Sequence, residues 1–277
     1  MADQTIDTGT HELLCAIRER VAIVTLNRPH AKNSLSSELT PALRQLIANF
    51  ADDPRVGALM ITGTGDAFCS GGDVKGMGDN APRREVTAAE RIADLRVKQR
   101  TLTGALVRWR KPTIAALPGV AAGAGMSLAL ACDVRIAAES ASLVTAYLRI
   151  GFSGDYGISW LLTRTVGPAR ARDLLLTGRR VDARTAERIG LVNQVVPDAK
   201  LQDEAFALAS GLAEGPSDAI RLVKDNLDQA MLVDFETSLD AEAARMIESG
   251  QSDDHKEAVR AFIEKRKPVF SAARSLG

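Results

Sequence analysis

Two short apolar runs, residues 56–62 and 113–117, each deliver the chain into a glycine-rich segment. The first segment reads Phe68-Cys69-Ser70-Gly71-Gly72-Asp73-Val74-Lys75 and the second Pro118-Gly119-Val120-Ala121-Ala122-Gly123-Ala124-Gly125-Met126-Ser127. Buried strands that end in glycine loops and alternate with helical patterns restrict the chain to a layered α/β fold. The loops also present main-chain amides with no bulky side chain in the way, so that two N–H groups can converge on one developing negative oxygen. Gly72 and Ala124 suit that role. Ala124 also opens an apolar helical stretch, where unpaired amides and the helix dipole favour negative charge. A pair of ordinary tight turns would have a similar composition.

The remaining pattern fills in the fold. Residues 13–18 and 21–26 are apolar and β-rich around Glu19-Arg20, which predicts a hairpin. From Ser36, an N-cap candidate, Leu39, Leu43, Leu46, Ile47 and Phe50 recur at helical spacing. A long helix is predicted over 87–107, with Ile92, Leu95, Leu102 and Leu106 on one face, after a polar linker at 76–84. Residues 123–132 read as a short helix buried all round, and 134–138 and 143–145 as strands. Beyond Gly157 the pattern is helical almost throughout, with Gly178, Gly190, Gly215 and Gly250 as stops. This divides the chain into a core at 1–200 and a helical region at 201–277.

Composition narrows the function. Lysine plus arginine and aspartate plus glutamate stand at 35 each, so no net field draws in nucleic acid or an anionic membrane, and an anionic ligand must be held locally. Residues 1–10 are polar, and no run of about eighteen apolar residues occurs, which predicts a soluble, cytoplasmic protein. Three irregularly spaced cysteines (Cys15, Cys69, Cys132) and three histidines (His11, His30, His255) offer no zinc or disulfide framework, and no metal site is expected. Gly123-Ala124-Gly125 partly mimics a dinucleotide fingerprint, but it is internal, and Asp133 and Glu139 fall short of the ribose-binding spacing.

Three segments in order, Asn27-Arg28-Pro29-His30-Ala31-Lys32-Asn33, the stretch 68–75, and 119–125 continuing to Ala131-Cys132-Asp133, resemble the signatures of the enoyl-CoA hydratase/isomerase (crotonase) superfamily. Residues 183–197 and 262–270 extend the likeness over nearly the whole chain. The resemblance implies a crotonase-like ββα spiral core with a C-terminal helical trimerisation region, assembled as a homotrimer or a dimer of trimers. It implies an acyl-CoA ligand and no cofactor beyond the CoA of the substrate. By position, the amides of Gly72 and Ala124 would hold the thioester oxygen. His30, Ala31 and Lys32, with Ser70, Gly72, Asp73, Val74 and Lys75, would line the CoA. The lysines would meet its phosphates as point charges, although solvated surface lysines look the same. Phe262 and Lys265 resemble residues that reach CoA in a neighbouring subunit, and an amphipathic helix with a basic end explains them equally.

The chain departs from the family in its acids. The two glutamates that activate water in family hydratases would fall at Ser127 and Tyr147, and neither is a carboxylate here. Serine is no base at neutral pH without a partner, and Tyr147 would need a lowered pKa. Asp155, eight positions after Tyr147, matches an aspartate of family isomerases, while its glycine-flanked setting also suits a turn or helix cap. A single carboxylate beside an oxyanion hole suits double-bond isomerisation, in which one base moves a proton along the chain. The alternatives are a hydratase with a non-standard acid/base set and a non-catalytic acyl-CoA-binding relative. Tyr156 and Trp160 are candidates for the acyl pocket wall, although aromatics at helical spacing are more often core.

Overall fold

The computed structural model describes residues 3–73 and 86–271. Two sheets form its centre. The larger, in the order β1-β2-β3-β4-β6-β8-β11, begins with an antiparallel meander of β1 (Gln4–Ile6), β2 (Leu13–Arg18) and β3 (Val21–Leu26). It continues with parallel β4 (Ala58–Gly63), β6 (Thr113–Leu117), β8 (Val134–Ala138) and β11 (Gln194–Val196). The smaller sheet, in the order β10-β9-β7-β5, contains β5 (Ala67–Cys69), β7 (Val120–Ala122), β9 (Ser142–Val144) and β10 (Val181–Asp182). Its first three strands pair in parallel and β10 runs antiparallel to β9. From β4 to β9 the chain gives strands alternately to the large sheet and the small one, a ββ repeat that winds as a spiral.

Burial explains the strand sequences. Every residue of β4 and β6 is buried, so these central parallel strands are apolar on both faces, whereas β2 near the sheet edge alternates buried and more exposed positions. Helix α1 (Leu39–Ala51) presents Leu39, Leu43, Leu46, Ile47 and Phe50 to the core, as its spacing predicts. Ser36 lies before the helix proper, but its hydroxyl oxygen still accepts from the amides of Glu38 and Leu39.

The helix predicted over 87–107 is two helices, α2 (Ala88–Thr101) and α3 (Thr103–Val107), separated at Leu102, whose φ of −110° and ψ of −93° are not helical. Leu102 and Leu106 are fully buried, whereas Ile92 and Leu95 are exposed. Their common spacing therefore does not define one buried face. Thr87 caps α2 in a reciprocal box with Glu90.

Helix α4 (Ala124–Leu130) is buried at all seven positions. Helix α5 (Ile158–Thr177) is kinked at Gly167, whose φ of 78° breaks the helix before Pro168, and ends on Gly178. Helix α6 (Ala183–Arg188) precedes β11, so two short strands interrupt the helical C-terminal half. Helix α7 (Leu201–Ala213) packs Leu201, Ala205, Ala209 and Ala213 on the large sheet. Helices α8 (Ser217–Ala230), α9 (Phe235–Gly250) and α10 (Asp253–Glu264) extend beyond it. Ion pairs from Arg110 to Asp225 (2.7 Å) and Asp228 (2.8 Å), and from Lys224 to Asp133 (2.6 Å), tie α8 to the core. Among the described residues, no helix is long and apolar enough to cross a membrane.

Candidate active site

The two glycine loops meet. Gly125 in α4 packs so closely on β5 that a β-carbon there would stand 2.7 Å from both the carbonyl carbon and the Cβ of Cys69. Gly71, at a φ of +98°, brings its loop beside the start of α4: a β-carbon on it would lie 3.4 Å from the Ala124 nitrogen. The Leu35 amide donates to the Gly71 carbonyl (2.8 Å) and the Asp73 amide to the Leu35 carbonyl (3.3 Å), a pairing that leaves the Gly72 amide outside it. Ala124 is the first residue of its helix, where the fold supplies no intrahelical acceptor. Among the described residues, neither the Gly72 nor the Ala124 amide has a hydrogen-bond acceptor. Two neighbouring backbone donors are thus available to an oxyanion.

Behind Ala124 lies a second group. Tyr147 follows Ala146, which has a φ of 61°, and opens the turn Tyr147–Ile150 with its ring against the backbone of Gly123. Its hydroxyl donates to Asp155 Oδ1 at 2.7 Å, and Ser127 Oγ on α4 lies 3.1 Å from the same phenolic oxygen. Burial pushes the Asp155 carboxyl above its ordinary value, and the Tyr147 hydrogen bond offsets part of that rise. Tyr147 itself is shifted strongly upward, by burial and by the neighbouring Asp155 charge, so it is a neutral donor and not a base. The capping alternative for the Asp155 side chain fails: Gly157 occupies the N-cap of α5 without a side-chain cap, and Asp155 supplies only its carbonyl to the Ile158 amide (3.1 Å).

Tyr156, buried and at a φ of 49°, lines a cavity of about 190 Å³ together with Thr103, Val107, Trp160 and Leu161. The half-exposed Trp160 is stacked under Arg164, 3.9 Å from the ring centroid. Both aromatics therefore stand on a cavity wall between α3 and the start of α5.

On the other side of the loops, the short turn Pro29–Ala31 ends in two left-handed residues, Lys32 (φ 49°) and Asn33 (φ 56°). Asn33 is fully buried and pins this turn by donating to the carbonyls of Thr64 (2.9 Å) and Ala67 (2.7 Å). Ser70 joins it to the first glycine loop, its amide donating to Lys32 O (2.9 Å) and its hydroxyl to Ala31 O (3.2 Å). The structure so brings His30, Ala31, Lys32, Ser70, Gly72 and Asp73 together, with His30 and Lys32 exposed. Asp73 pairs with Arg28 (3.1 Å), which also meets Glu12 at 2.8 Å. The sequence reading missed this brace; the only signal for it was an arginine inside the first motif. Val74, Lys75 and the 76–84 linker lie outside the described residues. Phe262 and Lys265 are exposed at the end of α10, and among the described residues no hydrogen bond of the cluster reaches them.

A sequence-family model described as Enoyl-CoA hydratase/isomerase matches residues 16–273. The chain belongs to the enoyl-CoA hydratase/isomerase family. Members of this family are enzymes that act on acyl-CoA, and the α/β architecture found here is theirs. The chain is 39% identical over 264 residues to a Mycobacterium bovis protein named "Probable enoyl-CoA hydratase", covering 95% of this chain and 99% of that one. It is 36% identical over 262 residues to the 1,2-epoxyphenylacetyl-CoA isomerase of Escherichia coli, covering 94% and 98%. Among solved structures, an enoyl-CoA hydratase from Polaromonas superposes with a TM-score of 0.86 at 32% identity, covering 93% of this chain and 99% of that one. Within the enoyl-CoA hydratase/isomerase family, then, names for both hydration and isomerisation occur among relatives of similar distance.

Proposed function

We propose that the chain isomerises the double bond of an enoyl-CoA thioester, with Asp155 as the proton shuttle. One observation carries this reading: among the described residues, the group behind the oxyanion loops contains one carboxylate, Asp155, bonded on one oxygen by Tyr147, while Ser127 and Tyr147 stand where the family resemblance puts the hydratase glutamates. In the reaction, Asp155 takes a proton from Cα of a 3-enoyl thioester and becomes a neutral acid. The electron pair moves into the thioester, whose oxygen is held as an enolate by the Gly72 and Ala124 amides. Collapse of the enolate shifts the double bond to Cα–Cβ, and Asp155 returns its proton at Cγ. Atoms and charge balance without water or any cofactor beyond the CoA of the substrate.

The turn around Lys32 and the loop at 70–73 would hold the CoA, with His30, Ala31 and Lys32 at the exposed edge and Asp73 braced by Arg28. Exposed apolar side chains on the last helices, including Met246, Ile247, Phe262 and Ile263, support assembly into a homotrimer or a dimer of trimers, in which Phe262 and Lys265 could reach a neighbour's CoA.

Hydration is the second reading, favoured by the name of the Mycobacterium bovis relative. Turnover of 2-enoyl- and 3-enoyl-CoA by wild type and Asp155→Asn separates the two. The isomerase reading expects interconversion of the two substrates and a loss of about a hundredfold or more in the variant. Undiminished turnover by Asp155→Asn would remove Asp155 from the mechanism.

A further inference from the structure

Tyr147 is more than a missing glutamate. Its side chain is 7% exposed, and its hydroxyl touches three groups: Asp155 Oδ1 at 2.7 Å, the Asp155 carbonyl at 3.3 Å and Ser127 Oγ at 3.1 Å. An ionised carboxylate only accepts, so the single phenolic hydrogen goes to Asp155 in the shortest contact. The phenolic oxygen then has a lone pair toward the fully buried Ser127, whose single hydroxyl hydrogen has three acceptors in reach: the Tyr147 oxygen at 3.1 Å, the Asp155 carbonyl at 3.3 Å and the Gly123 carbonyl at 3.4 Å. With that hydrogen on its nearest acceptor, a chain runs from Ser127 through Tyr147 to one oxygen of Asp155.

We infer that Tyr147 is the positioning residue of this site: its hydroxyl, oriented by Ser127, fixes one oxygen of Asp155 and reserves the other for the acyl chain. The inference rests on the isomerase reading of Asp155. A free carboxylate would rotate between two equivalent oxygens, whereas a shuttle serving Cα and then Cγ needs one oxygen held in place through both transfers. Tyr147 is well suited to impose that order. Its backbone is set by the left-handed Ala146, its amide donates to the Thr145 carbonyl (2.8 Å), and its own carbonyl accepts from the Phe152 amide (3.0 Å).

The same bond tunes the base. Burial raises the Asp155 carboxyl and the phenol pulls it back down, so removing the phenol leaves the burial effect unopposed. Among the described residues, the other charged or titratable groups around this corner are Tyr156 beside Asp155, Arg44 on α1, Asp94 on α2 and Cys69 on β5, the last three acting on the Tyr156 phenol. All are retained when Tyr147 alone is changed.

The test compares the pH dependence of kcat and KM for wild type, Tyr147→Phe and Ser127→Ala, with a 3-enoyl-CoA as substrate. Loss of a hydrogen bond to a charged group predicts a fall in kcat of about ten- to a hundredfold for Tyr147→Phe, with KM changed less than about twofold. The acid limb moves to higher pH. Ser127→Ala shifts both in the same direction by less, and it carries the test if Tyr147→Phe fails to fold. A variant with wild-type kcat, or one with lowered kcat and an unmoved acid limb, overturns the positioning role. Full activity of Asp155→Asn would instead overturn the isomerase reading, so the two failures are distinguishable.

Discussion

Gly125 lies against Cys69 so closely that no side chain fits between them: a β-carbon on Gly125 would stand 2.7 Å from the Cβ of Cys69. This contact fastens the helix that carries Ala124 to the strand that runs into the Gly71-Gly72 loop. The two amides proposed to hold the oxyanion are therefore set by one backbone approach, not by two independent turns.

Replacing Gly125 with alanine forces α4 away from β5. Overpacking of this kind costs about 1–3 kcal/mol, read as a lower denaturant midpoint. Because the shift falls between the proposed oxyanion donors, kcat/KM should drop by about tenfold or more in conditions where the variant is still folded. A variant with normal kcat/KM would mean that the loops are not a unit.

As the proposed base, Asp155 must be ionised to take a proton, and burial holds its carboxyl above the ordinary value of 3.8. The acid limb of the pH profile of kcat/KM therefore belongs at higher pH than an unperturbed aspartate would give. Activity rises with pH through that limb. A limb at or below 3.8 would contradict the assignment.

The same shift has a consequence for stability. A carboxyl whose folded pKa exceeds its unfolded one binds more protons in the folded state, so the unfolding free energy falls as pH rises from the unfolded pKa through the folded one. Above that window the burial of the charge is fully unfavourable. Asp155→Asn removes the charge and keeps an oxygen acceptor for Tyr147, so this variant should melt at a higher temperature than wild type at pH 7. The gain should vanish below pH 3.8. Thermal denaturation at several pH values checks this, and a lower melting temperature at neutral pH would speak against it.

Cys15, Cys69 and Cys132 are buried, and burial pushes each thiol up to about 12. A thiolate-specific reagent should label none of them in the native protein and all three after denaturation. Rapid native labelling of Cys69 would mean that β5 opens beside the oxyanion loop.

Much of this was legible in the sequence wherever local pattern and tertiary role coincide. Leu39, Leu43, Ile47 and Phe50 mark α1 because the periodic face is also the buried one, and the apolar runs ending in glycine mark β4 and β6 with their loops. Ile92 and Leu95 have similar spacing but stand exposed, because periodicity says which residues share a face and not whether anything covers it. The break at Leu102 depends on tertiary packing in the same way. At the site, the family motifs pointed to Gly72, Ala124 and Asp155, but the partner of Asp155 was hidden. Sequence position offers Tyr147 only as a substitute base, and its donor role depends on a chain reversal through Gly151, Gly154 and the left-handed Ala146 and Tyr156, which no spacing rule encodes.

The most direct test of the central claim, proton shuttling by one carboxylate without water addition, is to incubate the enzyme with a 2-enoyl-CoA in deuterated, ¹⁸O-labelled water and to follow both labels by mass spectrometry. The account predicts interconversion of 2- and 3-enoyl-CoA, abolished in Asp155→Asn, with no ¹⁸O incorporated and with deuterium entering only to the extent that the protonated Asp155 exchanges with solvent. Rapid accumulation of ¹⁸O-labelled 3-hydroxyacyl-CoA would contradict it.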